Sequence, residues 1–88
     1  MRLVITRQAE KDLADLDVKV SMRIRATLDK MLTNVQAVDL KKLKGYPDLW
    51  RLRVGDWRVM LQISEKEVTI YALRIKLRRE AYRQHQSS

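Results

Sequence analysis

The sequence predicts an α+β domain in which two helices near the N-terminus pack on a small antiparallel sheet. The first half of the chain carries apolar residues at helical spacing, whereas the second half alternates apolar and polar residues around the turn dipeptide Gly55-Asp56. A chain of 88 residues can bury one modest core. We therefore expect a single domain over residues 1–88, with a frayed tail at 84–88.

The N-terminal half predicts a strand followed by two helices. The run Leu3-Val4-Ile5 is apolar and largely β-branched, and Thr6 and Asp17 are residue types that cap helix N-termini. The apolar positions expected to face the sheet are Ala9, Leu13 and Leu16 on the first helix, and Val20, Ile24, Leu28, Met31 and Val35 on the second. The aspartates on these helices, Asp12, Asp15 and Asp17, have a spacing suited to surface ion pairs.

The segment around Gly55-Asp56 predicts a β-hairpin with a type II′ turn. That turn fixes the register, so Val54 lies opposite Trp57 and Arg53 lies opposite Arg58. Because side chains alternate along a strand, one face should be apolar and the other cationic. The apolar face comprises Trp50, Leu52, Val54, Trp57, Val59 and Leu61, and the cationic face comprises Arg51, Arg53 and Arg58.

The three arginines on one hairpin face imply a ligand. Like charges directly across a hairpin are destabilising, and neither strand places an acidic residue on that face. A polyanion is the expected source of neutralising charge. On this reasoning, replacing Arg53 or Arg58 with alanine should leave the fold intact.

The remaining segments predict one more strand and one long connector. Pairing Ile63 with Val68 would place Tyr71 beside Met60 and Leu73 beside Arg58, which gives the arginines an aromatic neighbour. Residues 37–48 are expected to form a loop that ends in a turn at 45–48. The lysines of this loop, which either contact a nucleic acid backbone or are merely solvated, are Lys41, Lys42 and Lys44.

The composition narrows the class of function. Lys and Arg number 19 against 11 Asp and Glu, and the resulting net charge of +8 favours nucleic acid or another acidic partner, a generally basic surface being the alternative. The chain has no cysteine and a single His85, so we expect no disulfide, metal centre or cofactor. It also lacks an apolar run long enough for a signal peptide or membrane span, which predicts a cytoplasmic protein with no membrane partner.

The order of these elements resembles the RelE/ParE toxin superfamily. The resemblance is carried by the opening strand and helices, by Lys-Lys-Leu-Lys-Gly at 41–45, by Leu-Trp-Arg-Leu-Arg-Val-Gly-Asp-Trp-Arg-Val at 49–59, and by Arg-Arg-Glu-Ala-Tyr-Arg at 78–83. It implies a toxin of a type II toxin-antitoxin pair, with two helices on three or four antiparallel strands. The RelE branch implies a metal-independent endoribonuclease that cuts mRNA in the ribosomal A site, and the ParE branch implies a poison of DNA gyrase. Either branch implies a cognate antitoxin, which the +8 charge predicts to be acidic.

The resemblance also implies which residues form the site. The catalytic positions are Arg51, Arg53, Arg58 and Tyr82, with a further cation for which both Lys76 and Arg78 fit. Expected RNA contacts are Lys41, Lys42, Lys44, Arg79 and Arg83. Many relatives carry histidine where this chain has Leu77, so a histidine acid or base is missing. Guanidinium groups bind phosphate oxygens well but are poor bases, which leaves Lys76 and Tyr82 for proton transfer.

Overall fold

The computed structural model describes residues 1–79, which form five strands and two α-helices. In chain order these are β1 (Arg2–Ile5), α1 (Arg7–Ala14), α2 (Val18–Thr33), β2 (Asp39–Lys42), β3 (Leu49–Val54), β4 (Trp57–Ser64) and β5 (Thr69–Leu77), with a 3-10 turn at Val35–Ala37. The strands form one sheet in the order β1-β5-β4-β3-β2. The predicted α+β class is confirmed. The sheet, however, is mixed and five-stranded, because β1 pairs parallel to β5 and β2 adds an edge strand.

The two helices begin where the sequence predicts. The side chain of Thr6 accepts a hydrogen bond from the backbone N–H of Ala9, and the side chain of Asp17 accepts one from the N–H of Lys19. The predicted apolar stripe is buried as far as Met31, except that Leu16 and Val20 are only partly buried. It fails at Val35, which is exposed in the 3-10 turn because α2 has already ended at Thr33.

The helices cover one face of the sheet and bury a single core. Its buried members are Ala9, Leu13, Ile24, Leu28, Met31, Leu52, Val54, Val59, Leu61, Ile70, Ala72 and Ile75. Trp50 and Trp57 are partly buried against this cluster, as predicted. Within residues 1–79, neither helix is long and apolar enough to cross a membrane.

The predicted hairpin register is confirmed from Trp50 opposite Leu61 to Val54 opposite Trp57. Gly55 has a positive φ of 59°, whereas Asp56 is not among the residues with positive φ. A positive φ at only the first central residue is the pattern of a type II′ turn. Since this turn holds two residues, it leaves β3 and β4 no other pairing.

The predicted register between β4 and β5 is wrong by two residues. Ile63 pairs with Ile70, because Val68 lies in the turn with a φ of 53° and is exposed. Tyr71 is consequently opposite Gln62 rather than beside Met60. A bulge at Met60/Leu61 shifts the register again, which sets Lys76 opposite Arg58 in place of the expected Leu73.

The predicted loop at 37–48 is wrong for its first part. Asp39–Lys42 forms the edge strand β2, in which Leu40 pairs with Leu52 and Asp39 pairs with Arg53. A short edge strand rich in lysine also resists pairing with another chain. The turn that follows is confirmed, with Gly45 at a φ of 86°.

Thr6 joins α1 to the sheet, which gives a first prediction. Its hydroxyl donates to the carbonyl oxygen of Ala72 at 2.8 Å while accepting from the N–H of Ala9. The isosteric Thr6→Val should therefore lower the free energy of unfolding by about 2 kcal/mol. Thr6→Ser keeps the hydroxyl and should lose much less. Urea unfolding of both variants measures the difference, and equal losses would show that the hydroxyl contributes nothing.

Candidate functional site

The sheet face opposite the helices carries two cross-strand rows in which every residue except Met60 is charged. The first row consists of Asp39, Arg53, Arg58 and Lys76, on β2, β3, β4 and β5 respectively. The second row consists of Lys41, Arg51, Met60 and Arg74 on the same strands. Adjacent strands are about 4.8 Å apart, so each row brings cations close together. We call Lys41, Arg51, Arg53, Arg58, Arg74 and Lys76 the cationic face.

Arg53 is the most open arginine of the first row. Its Nη1 lies 3.9 Å from Oδ2 of Asp39, and the two side chains are 55% and 45% exposed. A pair this exposed contributes about 0–1 kcal/mol, so Arg53 remains available to a stronger anion. The hairpin sequence could not reveal Asp39, because this residue joins the face only through the edge strand β2.

Arg58 is buried, contrary to the sequence-based expectation. Only 4% of the residue is exposed, and its Nη1 donates to the carbonyl oxygens of Gly55 and Trp57, each at 3.0 Å. The guanidinium therefore lies over the hairpin turn and helps to hold it. Its positive charge is fixed beneath the face between Arg53 and Lys76.

Arg51 is partly buried in the second row. Its Nε is buried without a hydrogen-bond partner among the described residues. A buried donor left unsatisfied costs about 1–3 kcal/mol. Because this Nε is shielded from solvent, a ligand could bond to it only after the side chain moves.

The far end of β5 completes the face beside the hairpin turn. Lys76 is partly buried opposite Arg58, and the N–H of Arg78 donates to the carbonyl oxygen of Asp56 at 2.9 Å. Leu77 is exposed opposite Trp57, and Arg79 follows on the surface. The predicted site residues Tyr82 and Arg83 lie outside the described residues.

The three predicted RNA-binding lysines separate in the structure. Lys41 belongs to the cationic face through its pairing with Arg51. Lys42 instead pairs with Trp50, and its Nζ lies 5.9 Å from the centroid of that indole ring, within the range of a cation–π contact. Lys44 lies in the turn after β2.

Asp12 of α1 is a site neighbour that the sequence interpretation missed. Its Oδ2 accepts from Nε of Arg74 at 3.0 Å and from the N–H of Ile75 at 2.8 Å, and its side chain is only 12% exposed. Burial by itself raises the pKa of this carboxyl. The hydrogen bonds from Arg74, Ile75 and Gln8 outweigh that effect, so the pKa of Asp12 is lowered from its ordinary value.

Tyr71 of β5 is hydrogen-bonded to an acidic side chain. The hydroxyl of Tyr71 donates to Oε2 of Glu67, and this hydrogen bond raises the pKa of Tyr71. This pair lies near the turn after β4. In the described part of the chain, no group of three or more His, Cys, Asp or Glu residues is placed to hold a metal ion.

Comparison with known proteins relates the chain to toxins. Residues 3–82 match the family described as the ParE toxin of the type II toxin-antitoxin system parDE. The chain is also 27% identical over 86 residues to the toxin RelE3 of Methanocaldococcus jannaschii, covering 93% of this chain and 96% of that protein.

Solved structures of toxin-antitoxin complexes share the fold. A chain of the RelB-RelE antitoxin-toxin complex from Methanococcus jannaschii superposes with a TM-score of 0.76 at 25% identity, covering 90% of this chain and 94% of that one. A chain of the archaeal RelE-RelB complex from Pyrococcus horikoshii OT3 gives a TM-score of 0.72 at 30% identity, covering 88% and 93%.

The unequal burial of the two arginines predicts unequal effects on stability. Arg58→Ala should lower the free energy of unfolding by about 1–3 kcal/mol, because it removes the bonds to the turn carbonyls. Arg53→Ala should change it by no more than about 0.5 kcal/mol, because its ion pair is exposed. Chemical unfolding of both variants checks this. Equal stability of the two would mean that Arg58 does not support the turn.

The lowered pKa of Asp12 predicts a loss of stability in acid. A carboxyl whose pKa is lower in the folded than in the unfolded chain adds stability above its unfolded pKa, about 4, and loses it as the pH falls through the folded value. Asp12→Asn should therefore be about 1 kcal/mol less stable than the parent at pH 7. Unfolding curves from pH 7 to pH 2 should show this gap closing, and a gap that stays constant would contradict the assignment.

Proposed function

The chain belongs to the ParE toxin family of type II toxin-antitoxin systems, and we propose, from its similarity to RelE toxins, that it is a RelE-like endoribonuclease. The proposed substrate is mRNA bound in the ribosomal A site, and cleavage of that mRNA would inhibit translation. The observation that carries the proposal is the row of Arg53, Arg58 and Lys76 on three adjacent strands. Positive charge concentrated on three adjacent strands is suited to a phosphate backbone.

The proposed reaction uses the RNA's own 2′-hydroxyl as nucleophile. This oxygen gives up its proton and bonds to the adjacent phosphorus, while the bond from phosphorus to the 5′-oxygen breaks and that oxygen takes up a proton. The products are a 2′,3′-cyclic phosphate and a free 5′-hydroxyl. Negative charge grows on the phosphoryl oxygens during the reaction, so catalysis needs preorganised cations at that point.

The cations of the site differ in the roles that we propose for them. Arg53 and Arg51 bind the phosphoryl oxygens, because both place a guanidinium group on the cationic face and the Arg53 side chain is more than half exposed. Arg58 adds a charge whose position is fixed by Gly55 and Trp57. Lys76 lies at the end of the row. Its ammonium form can bind the 2′-oxygen, and only its neutral form can accept the proton of that oxygen.

Other roles follow from the resemblance to RelE toxins. We propose Tyr82 as the proton donor to the 5′-oxygen and Arg78 as an additional phosphate contact. The flanking contacts to the RNA backbone are proposed for Lys41, Lys42, Lys44, Arg79 and Arg83.

An antitoxin is the proposed protein partner. Solved structures show RelE toxins in complex with RelB antitoxins. Because this chain carries a net charge of +8, we propose that its antitoxin is acidic at the contact surface. Since the proposed substrate is on the ribosome, the site of action is the cytoplasm.

Inhibition of DNA gyrase is the second candidate function. Two observations favour it: the matched family is that of the ParE toxins, and Leu77 occupies the position where many RelE-like chains carry histidine. A supercoiling assay with purified gyrase and this chain tests it. Inhibition of gyrase without RNA cleavage would replace the first proposal with the second.

Cleavage by Lys76 variants tests the first proposal. Added to a translating extract, the purified chain should generate new 5′ ends within translated codons, with or without a metal chelator. Lys76→Ala should lower the rate by about 100-fold or more, the usual cost of removing one transition-state donor. Lys66→Ala removes an exposed lysine in the turn before β5 and should have no effect. Equal rates in both variants would remove Lys76 from the site.

A further inference from the structure

The bulge in β5 decides which residues of this strand reach the cationic face. Leu61 pairs with Ala72, but the preceding residue Met60 pairs with Arg74, so Leu73 is an extra residue on β5. With no extra residue, the register would continue with Ile75 opposite Arg58 and Lys76 opposite Trp57. A one-residue shift moves every following side chain to the other face. The bulge therefore places Lys76 beside Arg58 and buries Ile75 at 4% exposure.

The outer edge of β5 changes partner at this same point. The parallel pairing of β1 with β5 ends at Ile5 and Ala72. Beyond it, Thr6 donates through its backbone N–H to the carbonyl oxygen of Ala72, and through its hydroxyl to those of Ala72 and Leu73. Two residues further along, the carboxylate of Asp12 accepts from the N–H of Ile75. Helix α1 and its N-cap residue therefore supply hydrogen-bond partners to the backbone of β5 on both sides of the bulge.

Asp12 accepts hydrogen bonds there through both of its oxygens, and a neutral side chain could not accept all of them. Its Oδ2 accepts from the N–H of Ile75 at 2.8 Å and from Nε of Arg74 at 3.0 Å, while Oδ1 accepts from Nε2 of Gln8 at 3.2 Å and from Nη2 of Arg74 at 3.4 Å. An ionised carboxylate has only acceptors. An asparagine would present an NH2 group to one of these donors. Only the ionised carboxylate accepts from all of these donors at once.

We propose that Asp12 is a positioning residue for RNA cleavage, because it holds the bulged end of β5 in the register that sets Lys76 beside Arg58. This inference rests on the proposed function. Asp12 itself belongs to the helix layer, and its oxygens are occupied by Ile75, Arg74 and Gln8. It acts on the reaction only through the position of Lys76. Such control is effective, since a small misplacement of a reacting group costs a large part of the rate.

A double-mutant cycle tests this dependence. In the full-length chain, Asp12→Asn should lower the cleavage rate per folded molecule by about tenfold or more. In the Lys76→Ala background the same substitution should change the rate by less than about twofold, because the group it positions is gone. As a control, Asp15→Asn replaces the exposed aspartate at the C-terminal end of α1 and should leave cleavage unchanged. Equal losses in both backgrounds would show a general structural role and overturn the proposal.

A structural measurement separates this proposal from the proposed function. In NMR spectra of Asp12→Asn, the amide of Ile75 should exchange at least about tenfold faster and the cross-strand signals between residues 58 and 76 should weaken. If the wild-type chain does not cleave RNA, the proposed function fails, whereas these signals still report on the register. Unchanged signals in Asp12→Asn would refute the positioning role whatever the cleavage rate.

A second variant covers the case in which Asp12→Asn does not fold. Arg74→Gln leaves Asp12 and its bond to the N–H of Ile75 in place, and removes only the guanidinium contact. It should slow cleavage less than Asp12→Asn, and again only when Lys76 is present. A loss of the same size in the Lys76→Ala background would contradict the proposal in this variant also.

Discussion

The pleat of β4 is the constraint on which both the core and the cationic face depend. Val59 and Leu61 are fully buried beneath the helices, so Arg58 and Met60 must point to the opposite face. Strand β4 lies between β3 and β5, and each neighbour keeps its cations on this face only while its register with β4 is kept. A two-residue turn fixes β3, and a bulge bounded by contacts to α1 fixes β5.

Several local contacts offset part of the electrostatic repulsion among these cations. Arg53 has Asp39 at the sheet edge, Arg74 has Asp12 at the other end of its row, and Arg58 binds the carbonyls of its own turn. The two acidic partners lie at the ends of the rows, so the middle of the face keeps its positive charge. Repulsion between neighbouring cations there is of the order of 1 kcal/mol per pair. An RNA phosphate would relieve it on binding.

Local sequence predicted the hairpin, the first strand and the existence of β5, but not the edge strand β2 or the register of β5. The turn at Gly55-Asp56 and the alternation beside it fix their register within a few residues. Strand β2 has little pattern of its own, since Leu40 is its only inward apolar residue, and it forms because β3 offers an edge. The bulge depends on Thr6 and Asp12, which are separated from their β5 partners by 66 and 63 residues. Val68 adopts a positive φ that is rare for a β-branched residue, which misled the predicted register of β5.

The way in which Lys76 is held bears on the choice between the two candidate functions. A protein that only binds a partner tolerates small shifts of a surface lysine, whereas chemistry at phosphorus requires the reacting groups to be placed to within about 0.5 Å. Here the end of β5 is bonded on its outer edge by Thr6 and Asp12, and its inner edge pairs with β4. Arg58, opposite Lys76, is fixed by its own turn. The backbone at Lys76 and the guanidinium of Arg58 are therefore both fixed, an arrangement that catalysis at phosphorus needs and binding alone does not.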